Sequence, residues 1–299
     1  MSKYETMAVL ACGTMGTAIL SGVLDCRRSQ EQGNQSSELS ASISEEESIP
    51  LPKRYIATVN RPESKRRLEK YFKDEGHEVE VVQQDNVKAV QQADVILICC
   101  KPQLLPHMLR DENMRNALNG KILISIAAGV TIEQIKNMAP TAVVVRAMPN
   151  TPSKIRQGMT VISELPKDSP EDAKALLKTI FAAIGRCRFL DEKHFDAATA
   201  LAGSGPAFTT LFLEAMTDGG VMMGLPRPEA LELAAQTIQG AARMVLETGR
   251  HPAAIKDSVT TPGGCTIAGL LQMEDGRLRS TVARSIQTAA EHAAGLGKN

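Results

Sequence analysis

Tryptophan is absent from this 299-residue chain, and aromatic residues of all kinds make up only 3% of it. With an apolar fraction of 43%, the core must be built from aliphatic side chains and alanine. An excess of either charge is also missing, because 34 Lys and Arg balance 34 Asp and Glu. Nucleic acid and membrane surfaces select a basic excess, so neither is expected as a partner. No apolar run approaches the ~18 residues of a membrane helix. The six cysteines show no C-x-x-C spacing, and Cys99 and Cys100 are adjacent. They read as small buried residues of a reducing compartment and not as a disulfide framework. The five histidines are scattered without a metal-binding pair, so no metal is expected. The opening "MSKYET" runs straight into a candidate strand, leaving no room for a signal or transit peptide. A cytoplasmic protein is the expectation.

What the chain does have, up to about residue 165, is short apolar runs alternating with helical patterns. Candidate strands are 6–11, 54–59, 79–82, 94–100, 121–127, 142–147 and 158–163. Several are continuous and β-branched, as for parallel strands covered on both faces. Helical patterns at 62–75 and 131–138 separate some of them, and Thr131 with Gln134 reads as a capping box. Repeated βα units predict a doubly wound parallel sheet.

The segment 29–49 breaks this rhythm, with 12 of its 21 residues Ser or Glu. It reads as a disordered insertion, bounded generously at 29–52, between the first helix and the second strand. A tolerated surface insertion is the plain reading; a phosphosite or partner motif is the other. After about residue 165 the pattern reads as helical to the end, giving a nucleotide domain at 1–165 and a helical domain at 166–299. The stripe Leu231, Ala234, Ile238, Ala241, Val245 and its counterpart Phe208, Leu211, Phe212, Ala215, Gly219 repeat at helical spacing. Such stripes serve an intrachain core or a helix-mediated homodimer, and the homodimer is the expectation.

The stretch "VLACGTMG" ends the first strand with a degenerate nucleotide fingerprint. In G-x-G-x-x-G register Ala11 replaces the first glycine, while Gly13 and Gly16 keep the second and third. The second glycine lets backbone approach a pyrophosphate, and the third lets helix and strand pack. Ala11 is expected to serve if its backbone stays in a region open to L-residues. The N–H groups around Cys12, Gly13, Thr14 and Met15 would then face phosphates at a helix N-terminus. By itself the match fits a bare βα turn as well. The second strand ends at Asn60 and Arg61 instead of a carboxylate. A guanidinium there suits the 2′-phosphate of NADPH, with NADH still possible. Arg66 and Arg67 read as a solvated helix face. The whole reads as a Rossmann-like α/β domain followed by an all-α domain.

A second glycine turn, "TTPGGCT" at 260–266, opens an amphipathic helix in the helical half. Its N–H groups suit a small carboxylate. Thr266 either caps that helix or reaches a ligand. The blocks "GTMGTAIL", "CKPQ", "SIAAGVTI", "RAMPNTP", "TALAGSGPAF", "GLPRPEA", "GAARMV" and "HPAAIKDSVTTPGGCTIAGL" follow in order along nearly the whole chain. With them the sequence closely resembles the pyrroline-5-carboxylate reductase family, and the last block is that family's signature.

The resemblance implies NAD(P)H-dependent reduction of Δ1-pyrroline-5-carboxylate to L-proline, the last step of proline biosynthesis. It implies cofactor contacts at Ala11 to Met15, Asn60, Asn86, Lys101, the turn Ser125, Ile126, Ala127, and Ser258, where some relatives carry Asn. It implies substrate contacts at Glu192, Gly263, Gly264, Cys265 and Thr266, with Thr266 in the catalytic role, and dimers built by the helical domain that assemble further in some members. Two rivals stay in view. A β-hydroxyacid-dehydrogenase-like enzyme would need an acid–base lysine, which "TALAGSGPAF" lacks; Lys193 lies before it. A non-catalytic NADPH sensor would need "ACGTMG" but not "TTPGGCT".

Overall fold

The computed structural model describes residues 3–32, 49–167 and 169–295. They form two compact units, Met1–Gly203 with Ala289–Asn299 and Ser204–Thr288.

The first unit is built on β1 (Thr6–Leu10), α1 (Thr14–Glu31), β2 (Arg54–Val59), α2 (Pro62–Asp74), β3 (Glu80–Gln83), α3 (Asn86–Gln91) and β4 (Val95–Ile98). It continues through α4 (Leu105–Leu109), α5 (Glu112–Ala117), β5 (Ile122–Ser125), α6 (Ile132–Met138), β6 (Val143–Met148) and β7 (Gly158–Ser163). Then come α7 (Ala173–Ala182), β8 (Gly185–Leu190) and α8 (Phe195–Ala198). The eight strands form one sheet in the order β3-β2-β1-β4-β5-β6-β7-β8. Pairing is parallel except between β6 and β7.

The continuous apolar runs have a simple cause. Met7, Val9, Val95, Leu97, Ile122 and Ile124 enter the core on one face, with α1, α2 and α7. Ala8, Leu10, Ile96, Ile98 and Leu123 enter the core on the other, with α3, α5 and α6. Every side chain of these strands therefore has a buried destination. Thr131 and Gln134 form the capping box of α6.

The sheet does not stop near residue 165, and the chain is not helical from there on. It goes on through α7 to β8, and the compact unit runs to Gly203. β8 escapes notice because Arg186 and Arg188 point to solvent while Cys187 and Phe189 face inward. The helical register of α7 hides so short and polar an edge strand. The Ser/Glu-rich segment lies outside the described residues over 33–48, but its expected margins do not hold. Ser29 to Glu31 are the last turn of α1, and Leu51 is packed into the core at 4% exposure.

The second unit contains α9 (Gly205–Met222), α10 (Arg227–Thr248), α11 (Pro252–Val259), α12 (Cys265–Asp275) and part of α13 (Leu278–Gly295). α9 and α10 pack closely where a Cβ on Gly220 would stand 3.2 Å from that of Ala230. Much of their apolar surface is nevertheless uncovered, including Leu211, Met222, Met223, Leu231 and Leu233. Among the described residues, no helix is long and apolar enough to cross a membrane.

Candidate active site

β1 and β4 are neighbours from which the sheet is extended in opposite directions, so the crevice outside their carboxyl ends is the switch point of the fold. The turn Ala11–Gly13 lies there. Ala11 does not stay in an ordinary L-residue region: its φ is +53°, the left-handed conformation that the missing glycine would adopt freely. Hydrogen bonds hold it in place. Ala11 N–H donates to Thr58 Oγ1 at 3.2 Å, and Cys12 N–H donates to Thr58 O at 2.8 Å. Thr58 Oγ1 in turn donates to Asn86 Oδ1 at 2.6 Å, linking the turn, β2 and α3.

These bonds change which donors are free. Cys12 N–H is taken by Thr58, and Gly13 N–H donates to Ala11 O at 2.7 Å. The expectation that all four residues of the turn present N–H groups is therefore too broad. α1 has Gly13 at its N-cap and no capping side chain, leaving the N–H groups of Thr14 and Met15 as the open helix terminus. A Cβ at Gly13 would meet nothing nearer than Ala11 O at 3.8 Å, so backbone is open to close approach there. Gly16 instead faces the strand, 3.1 Å from Val9 Cγ1 and Cys99 Sγ when given a Cβ. These features fit a pyrophosphate on the turn. Burial raises the Cys12 and Cys100 thiols to about 11 and pushes Cys99 up as well. All three are protonated packing groups at neutral pH.

Asn60 follows β2, and Arg61 is the N-cap of α2; both are exposed at the same edge. Arg66 and Arg67, farther along α2, are exposed, as the solvated helix face read from the sequence expects, and the Arg67 charge acts on the Cys12 thiol only as a minor lowering influence against burial. Lys101 follows β4 in an extended conformation and is exposed. Ser125 ends β5, its hydroxyl accepting from Ala127 N–H at 3.3 Å, while Ile126 N–H donates to Ile98 O at 3.2 Å. The residues expected from 11 to 15, and Asn60, Arg61, Asn86, Lys101 and Ser125 to Ala127, thus line one edge of one unit.

Glu192 belongs to this unit too. Its Oε1 accepts from Arg146 Nη1 at 2.8 Å and from Ile132 N–H, in the first turn of α6, at 2.7 Å. The Arg146 guanidinium lies 4.6 Å over the Phe195 ring. This carboxylate joins β6, α6 and the start of α8.

In the other unit, Gly263 has φ +67° and Gly264 is the N-cap of α12. A Cβ at Gly264 would lie 2.5 Å from Thr261 Oγ1 and 3.1 Å from Thr261 O, so a side chain there would displace that hydroxyl and crowd the carbonyl. Gly264 N–H donates to Thr261 O at 3.0 Å, which leaves the N–H groups of Gly263, Cys265 and Thr266 for a ligand. α12 has no side-chain cap, so Thr266 is not the cap of its own helix. Cys265 is exposed, and Ser258 donates its hydroxyl to Ile255 O at 2.7 Å.

Comparison with known proteins bears on both units. Residues 192–296 match the family model described as pyrroline-5-carboxylate reductase dimerisation, and residues 6–129 match NADP oxidoreductase coenzyme F420-dependent. The pyrroline-5-carboxylate reductase of Schizosaccharomyces pombe is 47% identical over 293 residues, covering 97% of this chain and 98% of that protein. The chain belongs to the pyrroline-5-carboxylate reductase family. A family member from Lophium arboricola is also 47% identical, over 98% of this chain and 93% of its own. The solved Plasmodium falciparum pyrroline carboxylate reductase with NADP bound aligns with a TM-score of 0.77 at 25% identity, covering 99% of both chains. The Coxiella burnetii pyrroline-5-carboxylate reductase aligns at 0.80 and 28% identity, covering 98% of both.

Proposed function

We infer that the chain reduces Δ1-pyrroline-5-carboxylate to L-proline with NAD(P)H, completing proline biosynthesis. The observation that carries this reading is 47% identity to a reductase of that name over nearly the whole chain, supported by two glycine turns that open helices without side-chain caps. Bound NAD(P)H supplies a hydride. Reduction of the C=N bond to C–N would place that hydride on C5, with the ring nitrogen taking its proton from solvent.

Thr14 and Met15 N–H groups and the positive end of α1 would hold the pyrophosphate. Asn60 would face the adenosine ribose, and Arg61 would take the 2′-phosphate of NADPH, a charge-assisted contact that NADH lacks. Arg67 adds positive charge near the turn. Asn86, Lys101 and the Ser125–Ala127 turn complete the nucleotide side. The N–H groups of Gly263, Cys265 and Thr266 anchor the substrate carboxylate, and the Thr266 hydroxyl bonds the ring nitrogen as it becomes an amine. Positioning and exclusion of water are the protein's main contributions. With Cys265 needed only as backbone, no covalent intermediate forms.

The exposed apolar stripes of α9 and α10 support a homodimer through the helical unit, with larger assemblies built from such dimers. The β-hydroxyacid-dehydrogenase and sensor alternatives are not favoured by the relatives. Purified protein with racemic pyrroline-5-carboxylate and NADPH or NADH should consume the reduced nucleotide, followed by its absorbance. No turnover with either nucleotide across pH would overturn the reading.

A further inference from the structure

Arg146, Met148 and Asn150 occupy alternate positions along β6 and its extended continuation, so their side chains leave the strand on one side. All three meet the segment 192–203. Arg146 pairs with Glu192, and the Met148 terminal methyl lies 3.2 Å from where a Cβ on Gly203 would stand. Asn150, only 9% exposed, donates from Nδ2 to Ala202 O at 3.0 Å. Its Oδ1 accepts from Met159 N–H, at the start of β7, at 2.9 Å. One partner can only accept and the other can only donate, so the orientation of the amide is fixed by chemistry.

Ala202 belongs to a π-helical turn, Thr199–Gly203. Such turns are rare and frequently found at functional sites. Asn150 fastens this one to the carboxyl end of β6, which is the same edge as the ends of β1, β4 and β5, since these strands are parallel. With the adenosine half of the nucleotide at β2, a dinucleotide laid across the crevice brings its nicotinamide half toward β4, β5 and β6. The turn therefore stands at the reactive end of the crevice. This last placement rests on the function proposed above.

We propose that Asn150 is a positioning residue for hydride transfer, holding the π-helical turn 199–203 as a wall at the nicotinamide end of the crevice. A misplacement of about 1 Å at such a wall costs on the order of 100-fold in rate. The sequence motifs "RAMPNTP" and "ALAGSGP" are then two sides of one joint, packed through Met148 and Gly203 and hydrogen-bonded through the Asn150 amide.

The test is Asn150→Asp, which keeps the acceptor for Met159 N–H and puts an oxygen against Ala202 O. The full chain without nucleotide is compared first by hydrogen exchange. Amides of 199–205 should exchange about ten-fold faster or more in the variant, with β4 and β5 unchanged. In turnover, kcat should fall about ten-fold, and the primary isotope effect with 4-deuterated NADPH should rise, while the NADPH Kd stays within about two-fold. Unchanged exchange at 199–205, or faster exchange with wild-type kcat and isotope effect, overturns the proposal. So does a fall in kcat matched by equal weakening of NADPH binding. If Asn150→Asp does not accumulate as folded protein, Asn150→Ser is read the same way. A wild-type protein without turnover would instead bring down the proposed function, and this inference with it.

Discussion

Arg146 and Glu192 form an ion pair of 2.8 Å in which the guanidinium is 7% exposed and the carboxylate 32%. The same carboxylate oxygen accepts from Ile132 N–H, so one side chain serves a buried cation and a helix N-terminus together. Glu192→Ala leaves both donors without their partner. The expected loss of stability is about 2–3 kcal/mol, below the cost for a wholly buried pair because water reaches Glu192. Glu192→Gln keeps an acceptor oxygen and should lose less than half as much. Urea unfolding followed by far-ultraviolet circular dichroism measures both, which suits a chain without tryptophan. A ten-fold rise in substrate KM for Glu192→Gln at unchanged stability would show that the residue instead contacts substrate.

Ala11 carries left-handed strain at φ +53° that a glycine would not. The cost of that conformation for alanine is on the order of 1–2 kcal/mol. Glycine forfeits part of the gain through the greater freedom of its unfolded chain. Ala11→Gly should therefore stabilise the protein by about 0.5 kcal/mol and leave NADPH affinity within about two-fold. A variant less stable than the wild type would show that the methyl group contributes packing that outweighs the strain.

The parts of the fold that could be read in advance are those whose signal is local. Runs such as Val95–Ile98 announce strands because both faces are buried, and Thr131 with Gln134 announces a helix start because capping spans a single turn. β8 could not be read this way, since Arg186 and Arg188 interrupt its apolar residues. The site divides along the same line. The glycine turns stand out as motifs, but Glu192 is tied to Ile132 and Arg146 across 60 and 46 residues of chain, which no spacing reveals. The sign of φ at Ala11 depends on bonds to Thr58 and is equally invisible.

Arg61 and Arg67 should separate by nucleotide. Arg61 caps α2 at the end of β2, so its proposed partner is the 2′-phosphate, which NADPH alone carries. A charge-assisted contact is worth about 1.5–3 kcal/mol. Arg61→Ala should accordingly raise KM for NADPH by about ten-fold or more and barely change it for NADH. Arg67 is exposed on α2 and its charge reaches Cys12 in the turn proposed for the pyrophosphate, which both nucleotides would use. Arg67→Ala should raise both KM values by similar factors. Steady-state kinetics with each nucleotide decides, and equal effects of Arg61→Ala would rule out its 2′-phosphate role.

The Cys12 thiol, raised to about 11 by burial from an ordinary value of 9.0, makes stability depend on alkaline pH. Between these values the unfolded chain has lost the proton and the native chain keeps it. Stability is therefore full below about pH 9 and declines as pH rises toward 11. The contribution from Cys12 is on the order of 2–3 kcal/mol. Cys12→Ala should flatten part of that slope in urea midpoints measured from pH 8 to 11. A slope identical to the wild type would assign the effect to other groups.

Thr266 stands in the first turn of α12, whose N-cap is Gly264, so its hydroxyl is not needed to cap the helix. A cap lost to alanine costs about 1 kcal/mol of stability and need not alter kinetics. A hydroxyl on the substrate nitrogen has the opposite signature. Thr266→Ala should leave the unfolding midpoint nearly unchanged and lower kcat/KM by about ten-fold, equivalent to about 1.4 kcal/mol of transition-state stabilisation. Thr266→Ser, which keeps the oxygen, should recover most of the rate. Because the proposed anchors of the substrate carboxylate are backbone N–H groups that survive both substitutions, the loss should fall mainly on kcat. A variant with normal kinetics but a lowered midpoint would return Thr266 to a structural role and leave orientation of the imine to the backbone of the turn alone.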